Sequence, residues 1–174
     1  MKSHEKHRSE SKKTLSISLI TVSSSRYNKL KKDISFEDES YKKAVKIIKD
    51  NSHKVSLNRV IDDHIGSVRL ELLNNIYKEK FDVIIFMGGT GLSSRDVTVE
   101  AVEPLLDKKM DGFSEIFRLE SYKKVGTAAY LSRSIAGSIE GKLVFCLPGS
   151  PDAVITALKL ILPELSHASH MANT

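Results

Sequence analysis

The chain has one cysteine, no long apolar run and neither of the common glycine-rich nucleotide signatures, and each shortage removes a class of protein. A single thiol, Cys146, cannot close an internal disulfide, and its neighbours Leu143, Val144, Phe145 and Leu147 mark it as filler in a buried strand. No stretch approaches the ~18 consecutive apolar residues of a membrane span, and the N-terminus is polar where a secretory leader would be apolar. A soluble, cytoplasmic protein without a membrane partner is therefore expected. The histidines at 4, 7, 53, 64, 167 and 170 have no ligand spacing with Cys or Glu, so no zinc site is expected. Walker A hydrolysis and dinucleotide binding lose support because no lysine follows the glycine-rich loop and no G-x-G-x-x-G is found.

Positive charge is plentiful but unevenly placed. Of the net +5, three units fall in the first thirteen residues, where Lys2, Lys6, Arg8, Lys12 and Lys13 outnumber Glu5 and Glu10. The body is left nearly neutral, without the basic face or exposed aromatics of a nucleic-acid-binding module, so no nucleic-acid partner is expected. Residues 1–13 show no apolar periodicity and are predicted to be a disordered basic tail. With 174 residues, 40% of them apolar, residues 14–170 are predicted to form one domain around one core.

The periodicity alternates between strand and helix. Leu15 to Val22 reads as a first strand ended by Ser23, Ser24 and Ser25, followed by a lysine-rich loop. From Glu37, the spacing of Tyr41, Ala44, Val45 and Ile48 predicts a helix ending near Asn51. Lys54 to Ile61 reads as a strand, and Ile65, Val68, Leu72, Leu73 and Ile76 as a helix. Phe81 to Met87 is apolar after Asp82, as a central parallel strand should be. Thr98 is placed to cap a short helix that Pro104 would kink, and Phe113, Ile116, Phe117 and Glu120 suggest another. The small residues Gly126 to Ala129 could begin the next helix. Ser134 to Ile139 and Lys142 to Leu147 flank Glu140-Gly141, which predicts a hairpin and hence one antiparallel strand. Ser150 as N-cap with Pro151 at the first position opens a last helix. The fold class is α/β, a layered sheet that is mostly parallel, with ligands expected at the carboxyl ends of its strands.

The loops at those ends carry the candidate chemistry. Gly88, Gly89, Thr90 and Gly91 let backbone N–H groups approach an anion, or else simply turn the chain. Asp62 and Asp96 follow two strands and could hold Mg²⁺ together with substrate phosphate; the competing assignment is that Asp96, and Asp62 or Asp63, cap the helices that follow. Pro148, Gly149, Ser150 and Pro151 offer a helix N-terminus suited to an anion, or only a helix start. Arg26, Arg95 and Arg133 are possible anion partners, though each alone reads as a solvated surface arginine.

Taken together, Gly88-Gly89-Thr90-Gly91, Arg95-Asp96-Val97-Thr98, Ser132-Arg133-Ser134-Ile135-Ala136-Gly137 and Pro148-Gly149-Ser150-Pro151 resemble the MoaB/MogA family of molybdenum cofactor biosynthesis, over about Leu15 to Ala168. The resemblance implies a three-layer α/β/α fold, a homo-oligomer (trimer or hexamer), and adenylylation of molybdopterin with ATP and Mg²⁺. It implies that Asp62 and Asp96 are the acidic residues of the transfer and the metal ligands. It further implies that Gly88 to Gly91 contact phosphate and that Ser121, Ser134, Pro148, Gly149 and Ser150 help form the pterin pocket. Some relatives have lost the transfer, so a non-catalytic molybdopterin-binding or scaffold protein is the alternative. The chain departs from the family at Tyr41, where Asp-x-Ser-Gly is usual, and at Ile61, where proline is usual.

Overall fold

The computed structural model describes residues 12–174, so most of the basic tail expected over 1–13 lies outside the described residues. Six strands, β1 (Ser16–Val22), β2 (Lys54–Ile61), β3 (Val83–Met87), β4 (Lys108–Lys109), β5 (Ile135–Ile139) and β6 (Lys142–Leu147), form one sheet in the order β2-β1-β3-β6-β5-β4. β1, β2, β3 and β6 are parallel, while β5 pairs antiparallel with both β6 and β4. The hairpin turn between β5 and β6 has positive φ at Glu140 (49°) and Gly141 (71°), as a two-residue primed turn requires.

Alternation along each central strand divides the core in two. Ile17, Leu19, Val83, Ile85, Leu143 and Phe145 face one side, where they meet α2 (Glu39–Asp50), α5 (Asp111–Val125), α6 (Pro151–Ile161) and α7 (Leu165–Ala172). Ile20, Val22, Ile84, Phe86, Val144 and Cys146 face the other, against α3 (Ile65–Leu73) and α4 (Thr98–Val102). The result is the three-layer α/β/α arrangement. Each fully buried Leu, Ile or Phe contributes about 1.5–3 kcal/mol, so these two seams dominate the fold's stability. Cys146 is fully buried, and burial pushes its thiol pKa well up, which leaves it protonated and unreactive.

Several local expectations are corrected. The lysine-rich stretch after Ser23 is not a loop but helix α1 (Ser24–Lys31), started by the Ser23 hydroxyl accepting from the Arg26 amide; it buries no residue, so apolar periodicity could not announce it. Lys29 and Lys31 in its last turn suit the helix dipole. α3 is capped by His64 Nδ1, which accepts from the Gly66 amide at 3.1 Å, and neither Asp62 nor Asp63 caps it. Asp63 instead accepts from the Ser24 amide and anchors α1. The helix containing Ile76 ends in a π-helical turn, Asn74–Glu79, and Pro104 turns α4 into a 3-10 segment, Glu103–Leu105. Gly126–Leu131 is a 3-10 turn rather than the start of a longer helix, and the two-residue β4 was not expected. Among the described residues, no helix is long and apolar enough to cross a membrane.

Candidate functional site

The parallel strands end level with one another. Val22 pairs with Ile61, and Met87 pairs with both Thr21 and Leu147, so the chain segments that leave β1, β2, β3 and β6 share one rim of the sheet. The Gly88–Gly91 loop and the Pro148–Pro151 turn meet there. A Cβ on Gly149 would sit 3.3 Å from Gly88 Cα, and one on Gly88, whose φ is +111°, would meet the Val22 carbonyl oxygen at 2.4 Å. Glycine is therefore required at 88 by a close backbone approach as well as by its dihedral.

The loop is held from three directions. The Gly88 amide donates to Leu147, the Thr98 amide donates to Gly89, and the Thr98 hydroxyl donates to the Gly88 carbonyl at 2.8 Å. Thr98 is the first residue of α4 rather than its cap, because its hydroxyl is spent on the loop. Arg133 supplies the third hold, through its own amide to Thr90 and its guanidinium to Gly91. By contrast, the amides of Gly89, Thr90 and Gly91 donate to no partner among the described residues. Three consecutive N–H groups without a partner on a held turn form a candidate nest for an anion.

Asp62 follows β2 and Asp96 follows β3, on the same rim with β1 between them, which sets the two strand ends about 10 Å apart. Asp96 does not cap α4. Its Oδ2 accepts from the Ser93 amide at 2.9 Å and closes the turn that precedes the helix, leaving Oδ1 without a partner. No side-chain hydrogen bond or ion pair of Asp62 is found among the described residues, whereas its neighbour Asp63 is tied to Ser24. Asp96 lies in a depression with Ser94, Glu100 and Arg133, and Asp62 is not among the residues lining it. No group of three or more His, Cys, Asp or Glu side chains clusters as a metal site among the described residues. Mg²⁺ takes one or two carboxylates plus substrate phosphate oxygens, and Asp96, whose Oδ1 is unpaired, is the carboxylate that the structure places beside the glycine loop.

Ser121, Pro148 and Ser150 line one cavity of about 380 Å³ between α5 and the start of α6, with Phe117 and Ala153 as apolar wall. Ser150 holds the N-cap position of α6, but its side chain makes no capping bond. Ser134 is brought not to that cavity but to the adjoining depression, where its hydroxyl pairs with that of Ser132 at 2.9 Å. Ser132 borders both, and Arg133 borders the depressions of Ser134 and Asp96, so three hollows adjoin along one short segment. An apolar cleft lined by Met110, Phe113, Phe145 and Leu165 lies at the far ends of α5 and α6 and has no part in the rim.

Four residues at or near this rim were missed or misread. Arg133 is not a solvated arginine: it forms an ion pair with Glu100 and hydrogen-bonds two carbonyls. Its hydrogen bond holds the Glu100 carboxyl below the usual range, with burial acting in the opposite direction. Arg26 likewise pairs with Asp38 at 3.3 Å, and Asp38 caps α2 while accepting from the Thr21 hydroxyl. The signal for Asp38 was present in the cap pattern ahead of Tyr41. Lys124, which donates to Thr156 Oγ1 across the Ser121 cavity, had no signal beyond its helix.

The protein is a three-layer α/β/α protein whose strand-end loops bring unpaired amides, the Asp96 carboxylate and a half-apolar cavity to one rim. The chain belongs to the family described as "Probable molybdopterin binding domain", which matches residues 18–167. It is 40% identical over 163 residues to "Molybdenum cofactor biosynthesis protein B" of Bacillus cereus, covering 92% of each chain. It is 41% identical over 165 residues to "Probable molybdopterin adenylyltransferase" of Methanocaldococcus jannaschii, covering 89% of this chain and 92% of the relative. The crystal structure of the tungsten cofactor synthesizing protein MoaB from Pyrococcus furiosus superposes with a TM-score of 0.78 at 34% identity, covering 94% of this chain and 99% of that one. The chain's role is in molybdenum cofactor biosynthesis.

Proposed function

We propose that the protein is a cytoplasmic molybdopterin adenylyltransferase that uses ATP and Mg²⁺, acting as a homo-oligomer (trimer or hexamer). The observation that carries this reading is the row of unpaired amides at Gly89, Thr90 and Gly91, beside the Asp96 carboxylate and next to a cavity large enough for a bicyclic ring. In the reaction a terminal phosphate oxygen of molybdopterin attacks the α-phosphorus of ATP, the new P–O bond forms, and the bond to the β-phosphate breaks to release pyrophosphate. The nest donates hydrogen bonds to the phosphate oxygens and stabilises the charge that develops on them. Gly149 and Ser150, at the start of α6, add the positive end of a helix dipole. Ser121, Ser134 and Pro148 orient the pterin, so the chain contributes positioning rather than a covalent nucleophile. Asp62 and Asp96 would hold Mg²⁺, whose contribution when bound is to neutralise phosphate charge.

The test incubates purified protein with molybdopterin, ATP and Mg²⁺ and measures adenylylated pterin for wild type, Asp62→Ala and Asp96→Ala. Loss of at least about a hundredfold in rate is expected for each variant, the scale of removing one electrostatic contact to a transition state. Equal product from wild type and Asp96→Ala removes that residue from the mechanism. Tight pterin binding by calorimetry with no turnover in the wild type would assign the non-catalytic binding role instead.

A further inference from the structure

We infer that Arg133 is the positioning residue of the nucleotide loop, a latch that fixes the segment from Gly88 to Glu100 against the Ser132–Ser134 segment; this rests on the adenylyl-transfer reading above. The guanidinium uses one donor face for each part of the loop. Nε donates to the Gly91 carbonyl at 2.9 Å, Nη2 to the Asp96 carbonyl at 3.2 Å, and both Nη1 and Nη2 to the Glu100 carboxylate. The main-chain amide of Arg133 adds a fourth tie, to Thr90 at 3.2 Å. One side chain thus spans the exit of the glycine loop, the residue that carries the Asp96 carboxylate, and Glu100 in the single turn of α4.

The magnitudes separate a geometric role from a stabilising one. The side chains of Arg133 and Glu100 are 31% and 45% exposed. A half-solvated pair of this kind contributes only about 0–1 kcal/mol to folding. What the arrangement does supply is direction, because a guanidinium fixes several donors in one plane and an ammonium cannot. Asp96 gains most: its backbone carbonyl is held by Arg133 while its carboxylate is held by Ser93, so its unpaired Oδ1 keeps one place relative to the amide nest. Glu100 in turn orients the guanidinium. The flanking Ser132 and Ser134 border the pterin-side hollows with their own side chains, which the guanidinium does not contact.

Arg133→Lys and Glu100→Gln keep charge or shape and are compared with wild type by thermal unfolding, by amide hydrogen exchange of residues 88–100, and by KM for ATP and for molybdopterin. Both variants are expected to unfold within about 2–4 °C of wild type. Exchange over 88–100 and KM for ATP each rise about tenfold, KM for pterin stays within about twofold, and the double variant is no worse than the poorer single, as for two members of one contact. Unchanged exchange over 88–100 in both variants overturns the latch. So does a lowered unfolding midpoint with both KM values moving together, which describes a merely structural contact. The exchange measurement needs no substrate, so a wild type that makes no adenylylated pterin would sink the adenylyl-transfer reading while the latch is still judged on exchange.

Discussion

At the scale of single residues, the ends of the sheet opposed to the rim are governed by polar groups that have no room for error. His53 is only 7% exposed, and its Nδ1 accepts from the Leu15 amide at 3.2 Å, tying the start of β1 to the start of β2. Burial lowers its pKa below the ordinary 6.5. The unfolded chain therefore binds this proton more tightly than the folded one. The stability that the neutral ring contributes is complete above about pH 6.5 and is lost as pH falls from there through the folded-state pKa. Protonation would also turn the acceptor into a donor facing another donor. Urea denaturation of wild type should show stability falling over that interval, and His53→Gln should be less stable at pH 8 but flatter below pH 6.5. Parallel slopes in the two proteins would assign the acid sensitivity to other groups.

At the scale of elements, the seams that bury apolar side chains were legible and those held by polar contacts were not. β2 matches its expected bounds because Lys54 to Asn58 alternates and Val60 and Ile61 follow as β-branched residues, and β3 is apolar because helices cover both of its faces. α1 buries nothing and β4 has two residues, both lysines, so no hydrophobic period could reveal either. The site follows the same division. Its glycines and prolines are visible as punctuation, whereas the ties from Thr98 and Arg133 join residues ten and more than forty positions from their partners. Thr98 illustrates the cost of such a tie. Its buried hydroxyl holds the Gly88 carbonyl, and Thr98→Val keeps the shape while stranding that acceptor, which should cost about 1–3 kcal/mol. Thr98→Ser should recover most of this. If chemical denaturation finds Val and Ser equally stable, the loop is held by other contacts.

At the scale of the whole molecule, the proposed assembly requires an apolar surface that the monomer leaves uncovered, and α5 carries one. Ile116, Leu119, Tyr122 and Val125 are each more than half exposed. Their three-residue spacing spreads them over the outer half of the helix, opposite the buried Phe117 and the core-packed Phe113. Tyr130 and Leu131, in the turn that follows, extend the band. Scattered exposed apolar residues need no explanation, but four large ones on the outer half of a fifteen-residue helix, with Glu115, Arg118 and Lys123 among them, make a mixed surface of the kind that association buries. The same helix presents Ser121 and Lys124 to the proposed pterin cavity, so a second copy seated on the band would lie beside the site and restrict water there. Sedimentation velocity at micromolar concentration should show the wild type as an oligomer and the double variant Leu119→Glu, Val125→Glu as a monomer with an unchanged circular dichroism spectrum. A wild type that sediments as a monomer sinks the homo-oligomer, and a double variant that stays associated moves the contact to another surface, because two carboxylates cannot be buried against apolar partners without losing the interface.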